Sequence, residues 1–262
     1  ISGQRLTVPK EDVPTFPVTV TLAVPVTVTE PKLDVAFTPV TDTSMGITAV
    51  TVPIALVAEM PVGDTFEFPT ISVHEAFSYP TSMYLRNLMA IDTEEMIRAQ
   101  PMDSCVLIGG CDKTVPAQLM GALSVDMPVI QLVTGPMLTG SHRGERVGAC
   151  TDCRRLWAKF RADEINETEI NEANNQLVPT VGTCGVMGTA STMAMITETL
   201  GMMAPDSSCA PAVSSERRRI SEKTGQIAVD IATKKRRPSS ILTVKSFENA
   251  LIVLLAIGGS TN

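Results

Sequence analysis

Aromatic side chains are scarce in this chain: 4% of 262 residues, with one Trp and two Tyr. A core with so few rings has to be filled by aliphatic side chains and by the 14 methionines, which are packing material far more often than chemistry. Long apolar runs are missing too. The greasiest stretch, Leu251 to Ile257, is ended by Gly258-Gly259 well short of a bilayer span, and nothing reads as a signal peptide. An excess of basic charge is also absent. The formal net charge of −7 argues against a general nucleic-acid binder and against a membrane-surface protein. With 44% apolar and 19% charged residues the chain reads as globular and cytoplasmic, long enough for one large domain or two small ones.

Several familiar catalytic signatures are lacking. Ser141 and His142 are adjacent, which does not make a triad, and there is no G-x-S-x-G elbow. Gly182-x-x-Gly185-x-x-Gly188 is not the dinucleotide fingerprint, and Gly109 to Lys113 is too short for a Walker A loop. Cys150-Thr151-Asp152-Cys153 is a C-x-x-C with no second copy, so a redox or zinc module is only a competing reading. The six cysteines, none before Cys105, do not form a disulfide framework in a chain of this kind. They read as reduced thiols, some buried and some available as metal ligands.

What is present has the rhythm of an α/β domain with a mostly parallel sheet flanked by helices. Residues 1 to about 45 stand apart. Their Val/Thr/Pro alternation reads as edge strands broken by Pro, or as a sequence inferred from a density map, because those three side chains share an outline. From Pro61 onward the spacing predicts a strand over 66–73, a helix over 81–90, and a further helix opened by a capping box at Asp92 to Glu95. A strand before Gly109, a helix from Thr114 and a strand over 129–134 follow. Next come a charged helical excursion over 154–172, a short strand over 181–184 and a helix through Met193, Ile196 and Leu200. Ser214 caps a long helix that closes at the basic tetrad Lys234 to Arg237, where cations complement the helix dipole. The last helix is expected to pack through Phe247, Leu251, Leu254 and Leu255.

The most informative stretch is Gly109-Gly110-Cys111-Asp112-Lys113, a glycine turn between a buried strand and a helix start. A thiol, a carboxylate and an amine stand side by side where backbone amides are free and the helix dipole is positive. Soft and hard donors at adjacent positions suit two different metals. Cys184 lies in a second turn of this kind, Val181-Gly182-Thr183-Cys184-Gly185. Two cysteines leave an iron–sulfur or zinc site open, as a Lewis-acid catalyst requires. Glu75, after the strand that ends near His74, is a candidate hard-metal ligand beside Asp112. Ser141 to Arg146 adds two guanidinium groups suited to a carboxylate.

Five segments together resemble the dihydroxy-acid and phosphogluconate dehydratase family. They are Phe-Pro-Thr-Ile-Ser-Val-His-Glu (68–75), Gly-Gly-Cys-Asp-Lys-Thr-Val-Pro (109–116), Gly-Ser-His-Arg-Gly-Glu-Arg-Val-Gly-Ala-Cys-Thr-Asp-Cys-Arg-Arg (140–155), Val-Gly-Thr-Cys-Gly-Val-Met-Gly-Thr-Ala-Ser-Thr (181–192), and the terminal Ala-Ile-Gly-Gly-Ser-Thr-Asn. The wording around Ser141 and Cys150 is most similar to the sugar-acid branch, such as the pentonate (arabinonate) dehydratases. The resemblance covers residues 61–262; residues 1–60 match poorly.

The resemblance implies a hydro-lyase that converts a sugar acid to a 2-keto-3-deoxy acid, with an iron–sulfur cluster ([2Fe–2S] in this branch, [4Fe–4S] in other members) and Mg2+. It assigns Cys111 and Cys184 to the cluster, and Glu75, Asp112 and carbamylated Lys113 to Mg2+. A homo-oligomer, dimer or tetramer, is implied as well. Two departures stand out. The family's first cluster cysteine would fall near Thr43, where there is none. The serine base belongs to a C-terminal barrel domain outside this chain, so the chain is expected to be an N-terminal fragment and not a complete catalyst by itself. A branched-chain dihydroxy-acid dehydratase and a non-catalytic homologue remain competing readings.

Overall fold

The computed structural model describes residues 21–27, 64–65, 67–71, 73, 78–110, 112–148 and 151–260. Its centre is β4 (Ser104–Gly109), in which all six residues are buried. It pairs in parallel with β5 (Val129–Val133), in register from Cys105↔Val129 to Gly109↔Val133. Strands this uniformly apolar need cover on both faces. The period-two alternation sends Cys105 and Leu107 one way and Val106 and Ile108 the other. The first face packs against Ile97 of α1 (Arg86–Ala99), Val115 and Leu119 of α2 (Thr114–Val125), and Ala194 of α5 (Thr189–Thr199). The second packs against Ile220, Ala228 and Ile231 of α6 (Ser215–Thr233). The result is the expected α/β architecture, with helices on both sides of the sheet.

Three further strands complete the sheet: β1 (Thr21–Thr27), β2 (Asp64–Thr65) and β3 (Phe68–Thr70). The strand order is β2-β1-β4-β5, and β3 also pairs with β1. The Val/Thr/Pro segment was expected at an edge. Instead β1 is an interior strand, antiparallel to β4 on one side and to β2 and β3 on the other. Pro25 is tolerated there opposite Cys105.

Other expectations are corrected by tertiary contacts. No helix begins at Asp92: a short 3-10 turn (Ser82–Leu85) leads into α1, which runs through that position unbroken. Asp92 Oδ2 accepts from the backbone N–H of Ile71 at 2.8 Å, and Thr93 Oγ1 donates to Met89 O, so neither acts as a cap. Residues 181–184 form only an isolated bridge, Thr183↔Pro136, because Gly182 at φ 131° bends the chain. The final helix α8 (Val244–Ala256), joined to α6 through α7 (Pro238–Ile241), buries Ala250. Of the residues expected to pack, Leu254 is half-buried, while Phe247 at 51%, Leu251 at 59% and Leu255 at 80% are exposed, because α8 meets α5 along a narrow face centred on Ala250.

The charged excursion resolves into α3 (Thr151–Arg161) and α4 (Glu167–Leu177) beside the hairpin of β6 (Gly140–His142) and β7 (Glu145–Val147). Val147, Leu156, Ile170, Ala173 and Leu177 form their own small core. Trp157 and Phe160 meet edge to face at 5.5 Å.

Candidate metal centre

The carboxyl ends of β4 and β5 meet through the N–H of Thr134, which donates to Gly109 O at 3.1 Å. Ligand sites of open α/β sheets lie at such ends. Gly110 follows, and its lack of a side chain is obligatory. A β-carbon there would overlap Thr134 Oγ1 and stand 2.9 Å from Thr183 Cγ2. The turn before α2 is therefore packed directly against the loop that carries Cys184. That loop is pinned at Thr183, whose N–H donates to Gly135 O and whose carbonyl accepts from Met137 N–H, each at 2.9 Å. Between the turn and the loop lies a cavity of about 180 Å³, bordered by Gly110, Pro136, Gly185, Ser191 and Cys209.

Lys113 is 3% exposed, and its Nζ donates to Asp112 Oδ2 at 2.9 Å. Among the described residues Asp112 is its single partner. Lys113 also forms the N-cap of α2 with no side-chain capping bond, and Gly188 does the same for α5. The helices after the two turns thus both start without a side-chain N-cap, at the positive end of the helix dipole, which favours negative charge. The terminal Gly-Gly-Ser motif folds back onto α5: Ser260 N–H donates to Thr192 Oγ1 at 3.0 Å, and Thr189 Oγ1 donates to Ser260 Oγ at 2.9 Å.

Of the expected ligands, Asp112, Lys113 and Cys184 fall in described positions. Glu75 and Cys111 lie outside the described residues, as do His74, Cys150 and Thr43. Among the described residues no three His, Cys, Asp or Glu side chains form a ready-made cage. The donor chemistry nevertheless fits two groups: a soft thiol on the Cys184 loop, and a carboxylate beside a buried amine on the Asp112 turn.

The other cysteines divide by environment. Burial pushes the Cys105 thiol well above its ordinary range, so it stays protonated and inert. Cys153 is partly buried against the α3–α4 core, and Cys209 is exposed. Of the two guanidinium groups expected to await a carboxylate, Arg143 is already engaged, pairing with Glu169 at 2.8 Å and with Glu172 at 3.5 Å. Lys234, from the basic tetrad, pairs with Asp230 at 2.6 Å at the end of α6.

Two supports escaped the sequence reading. Gln118 and Gln131 are each 1% exposed and sit directly beneath the Gly109 turn. Arg217, 2% exposed, donates to Val133 O at 2.9 Å and to Ala210 O at 2.5 Å, tying the end of β5 to the loop before α6. Desolvation lowers its pKa to about 10, still charged at neutral pH. Gln118 and Arg217 lie in helical patterns, where a polar residue reads as solvent-facing, and only the fold reveals them as buried.

A sheet with covered faces, and two glycine-bearing turns at its carboxyl end that carry Asp112, Lys113 and Cys184, define an α/β domain with a candidate site at that end of the sheet. Residues 41–262 match the family described as "Dihydroxy-acid/6-phosphogluconate dehydratase N-terminal", and the chain belongs to that family. It is 46% identical over 196 residues to an L-arabinonate dehydratase of Rhizobium leguminosarum bv. trifolii, covering 75% of this chain and 34% of that protein. It is 42% identical over 196 residues to a 6-deoxy-6-sulfo-D-gluconate dehydratase of Pseudomonas putida, with the same coverage of each chain. A dihydroxy-acid dehydratase of Thermodesulfovibrio yellowstonii is 39% identical over 189 residues, covering 72% of this chain and 34% of its own length. The chain spans about a third of the length of these relatives.

Proposed function

We propose that the protein dehydrates a sugar (aldonic) acid to its 2-keto-3-deoxy acid, and that this chain supplies the α/β portion that holds the metals. The observation that carries the reading is the packing of Gly110 against Thr183, which sets the end of the β4 exit beside the residue that precedes Cys184. Cys111 and Cys184 would hold an iron–sulfur cluster, with [2Fe–2S] favoured over [4Fe–4S]. Glu75, Asp112 and carbamylated Lys113 would hold Mg2+. When bound, these groups supply Lewis-acid chemistry, easing loss of a hydroxyl and of the adjacent carbon-bound proton.

The chain's own residues perform the holding. A bare lysine ammonium cannot ligate a cation, whereas a carbamate presents an anionic oxygen; beside the Asp112 carboxylate it would make two adjacent anionic groups whose charge a divalent cation would balance. The positive dipole ends of α2 and α5, neither with a side-chain N-cap, favour an anionic cluster and an anionic substrate. The glycines at 109 and 110 let the backbone approach where a side chain would intrude. No general base is assigned to this chain.

Identities of 42% to 46% to three sugar-acid dehydratases, against 37% to 40% to dihydroxy-acid dehydratases, favour the sugar-acid branch. We also propose a homo-oligomer and a cytoplasmic setting; among the described residues no helix is long and apolar enough to cross a membrane. Iron and sulfide analysis of the intact protein, joined to an assay for 2-keto-3-deoxy acid from pentonates, is the test. Stoichiometric iron and sulfide with turnover is expected. Zinc in place of iron would favour a C-x-x-C module, and no metal at all a non-catalytic homologue.

A further inference from the structure

Gln118 lies on α2, the helix that begins at Lys113. Its Nε2 donates to Thr70 Oγ1 at 3.2 Å and to Ile108 O at 3.1 Å, and its Oε1 accepts from Gln131 Nε2 at 3.0 Å. Thr70 is the last residue of β3, on the path to Glu75. Ile108 is the penultimate residue of β4, on the path to Cys111 and Asp112. Gln131 belongs to β5. One buried carboxamide therefore ties together the exits of the two strands that lead to the proposed Mg2+ ligands, from the helix whose N-cap is the third. It is also pressed against the turn itself: a β-carbon on Gly109 would lie 2.6 Å from Gln118 Oε1. The opposite side of β3's exit is held independently by Asp92, through Ile71 N–H. A network this deeply buried fixes geometry strongly because each unmade bond leaves a desolvated polar group.

We propose that Gln118 is a positioning residue that sets the spacing between the β3 and β4 exits and thereby the affinity for the divalent cation. This rests on the metal reading above. It touches no substrate, so its signature is cation affinity at constant cluster content. The test is binding of Mn2+, as a spectroscopic stand-in for Mg2+, to the intact protein, read by electron paramagnetic resonance alongside iron content. Gln118→Met keeps the volume and removes all three hydrogen bonds; Mn2+ binding should weaken about tenfold, as for other residues that orient metal ligands, with iron unchanged. Thr70→Val removes the β3 arm of the carboxamide and leaves its bonds to Ile108 and Gln131, and should weaken binding less but in the same direction, which keeps the test alive should Gln118→Met fail to fold. Thr224→Val, which deletes a buried bond to Ile220 O within α6, serves as the comparator and should lower thermal stability without moving Mn2+ affinity. Unchanged affinity in the Gln118 and Thr70 variants, or equal weakening in the Thr224 variant, would overturn the assignment. A wild-type protein that binds no Mn2+ would sink the metal reading and Gln118 with it, whereas tight wild-type binding unmoved by these substitutions removes Gln118 alone.

Discussion

Gly110 and Thr183 are packed so closely that a β-carbon on the glycine would stand 2.9 Å from the threonine methyl, with Thr134 Oγ1 closer still. The contact joins two turns far apart in sequence. Gly110→Ala should therefore force them apart. Overpacking of this kind costs about 1–3 kcal/mol, and the larger consequence expected is loss of the visible iron–sulfur absorbance. A variant with wild-type melting temperature and full absorbance would show that Thr134 and Thr183 move aside freely.

The cysteines separate the cluster reading from its rival. Cys111→Ser and Cys184→Ser in the intact protein should each bleach the cluster and abolish turnover, because a hydroxyl is a poor substitute for thiolate on iron. Cys150→Ser should keep much of both. Bleaching by Cys150→Ser with a coloured Cys184→Ser protein would reverse the ligand assignment in favour of the C-x-x-C.

Lys113 tests the carbamate. If it is merely an ion-pair partner of Asp112, arginine should serve in part. As a carbamate it has no arginine equivalent. Lys113→Arg is then expected to lose Mg2+ and to slow pentonate dehydration by about 100-fold or more, since a metal's charge stabilisation is worth several kcal/mol and each ~1.4 kcal/mol is tenfold. Iron content should be retained. Near-normal turnover reduces Lys113 to a structural role.

Asp126 offers a pH prediction away from the site. It terminates α2 in the left-handed conformation and accepts from Ser239 N–H at 2.9 Å and Ser239 Oγ at 2.8 Å, docking α7. Those backbone and side-chain bonds hold its carboxyl below the ordinary value. A depressed folded pKa contributes stability that is fully present above the unfolded value of about 3.9 and is lost as pH falls through the lower folded value. Asp126→Asn tolerates the backbone conformation and keeps one acceptor, so it should fold and show a flatter melting temperature below about pH 4. An acid limb identical to wild type would remove Asp126 from the titration.

The sequence alone determined much of this protein. The unbroken apolar run at 105–108 dictates a buried strand, and Ser214 before a long amphipathic pattern dictates the start of α6, where its Oγ accepts from Arg217 N–H. The Gly-Gly-Cys-Asp-Lys turn marks a candidate centre because thiol, carboxylate and amine in adjacent positions are locally encoded. These signals survive because they depend on short-range periodicity, capping and turn chemistry.

Tertiary structure decided what depends on distant partners. Asp92 looks like a cap until β3 supplies Ile71 N–H, which turns it into a tether inside α1. Arg143 looks ready for a substrate carboxylate until α4 brings Glu169 to it. The last helix carries an apolar stripe, but only Ala250 of it is fully buried, and pattern alone does not say what lies opposite a face. Gln118 and Arg217 are polar residues in helical text, indistinguishable locally from solvent-facing ones. Their burial is a property of the packed sheet, where the carbonyls of Ile108 and Val133 need donors that only chain segments remote in sequence can bring.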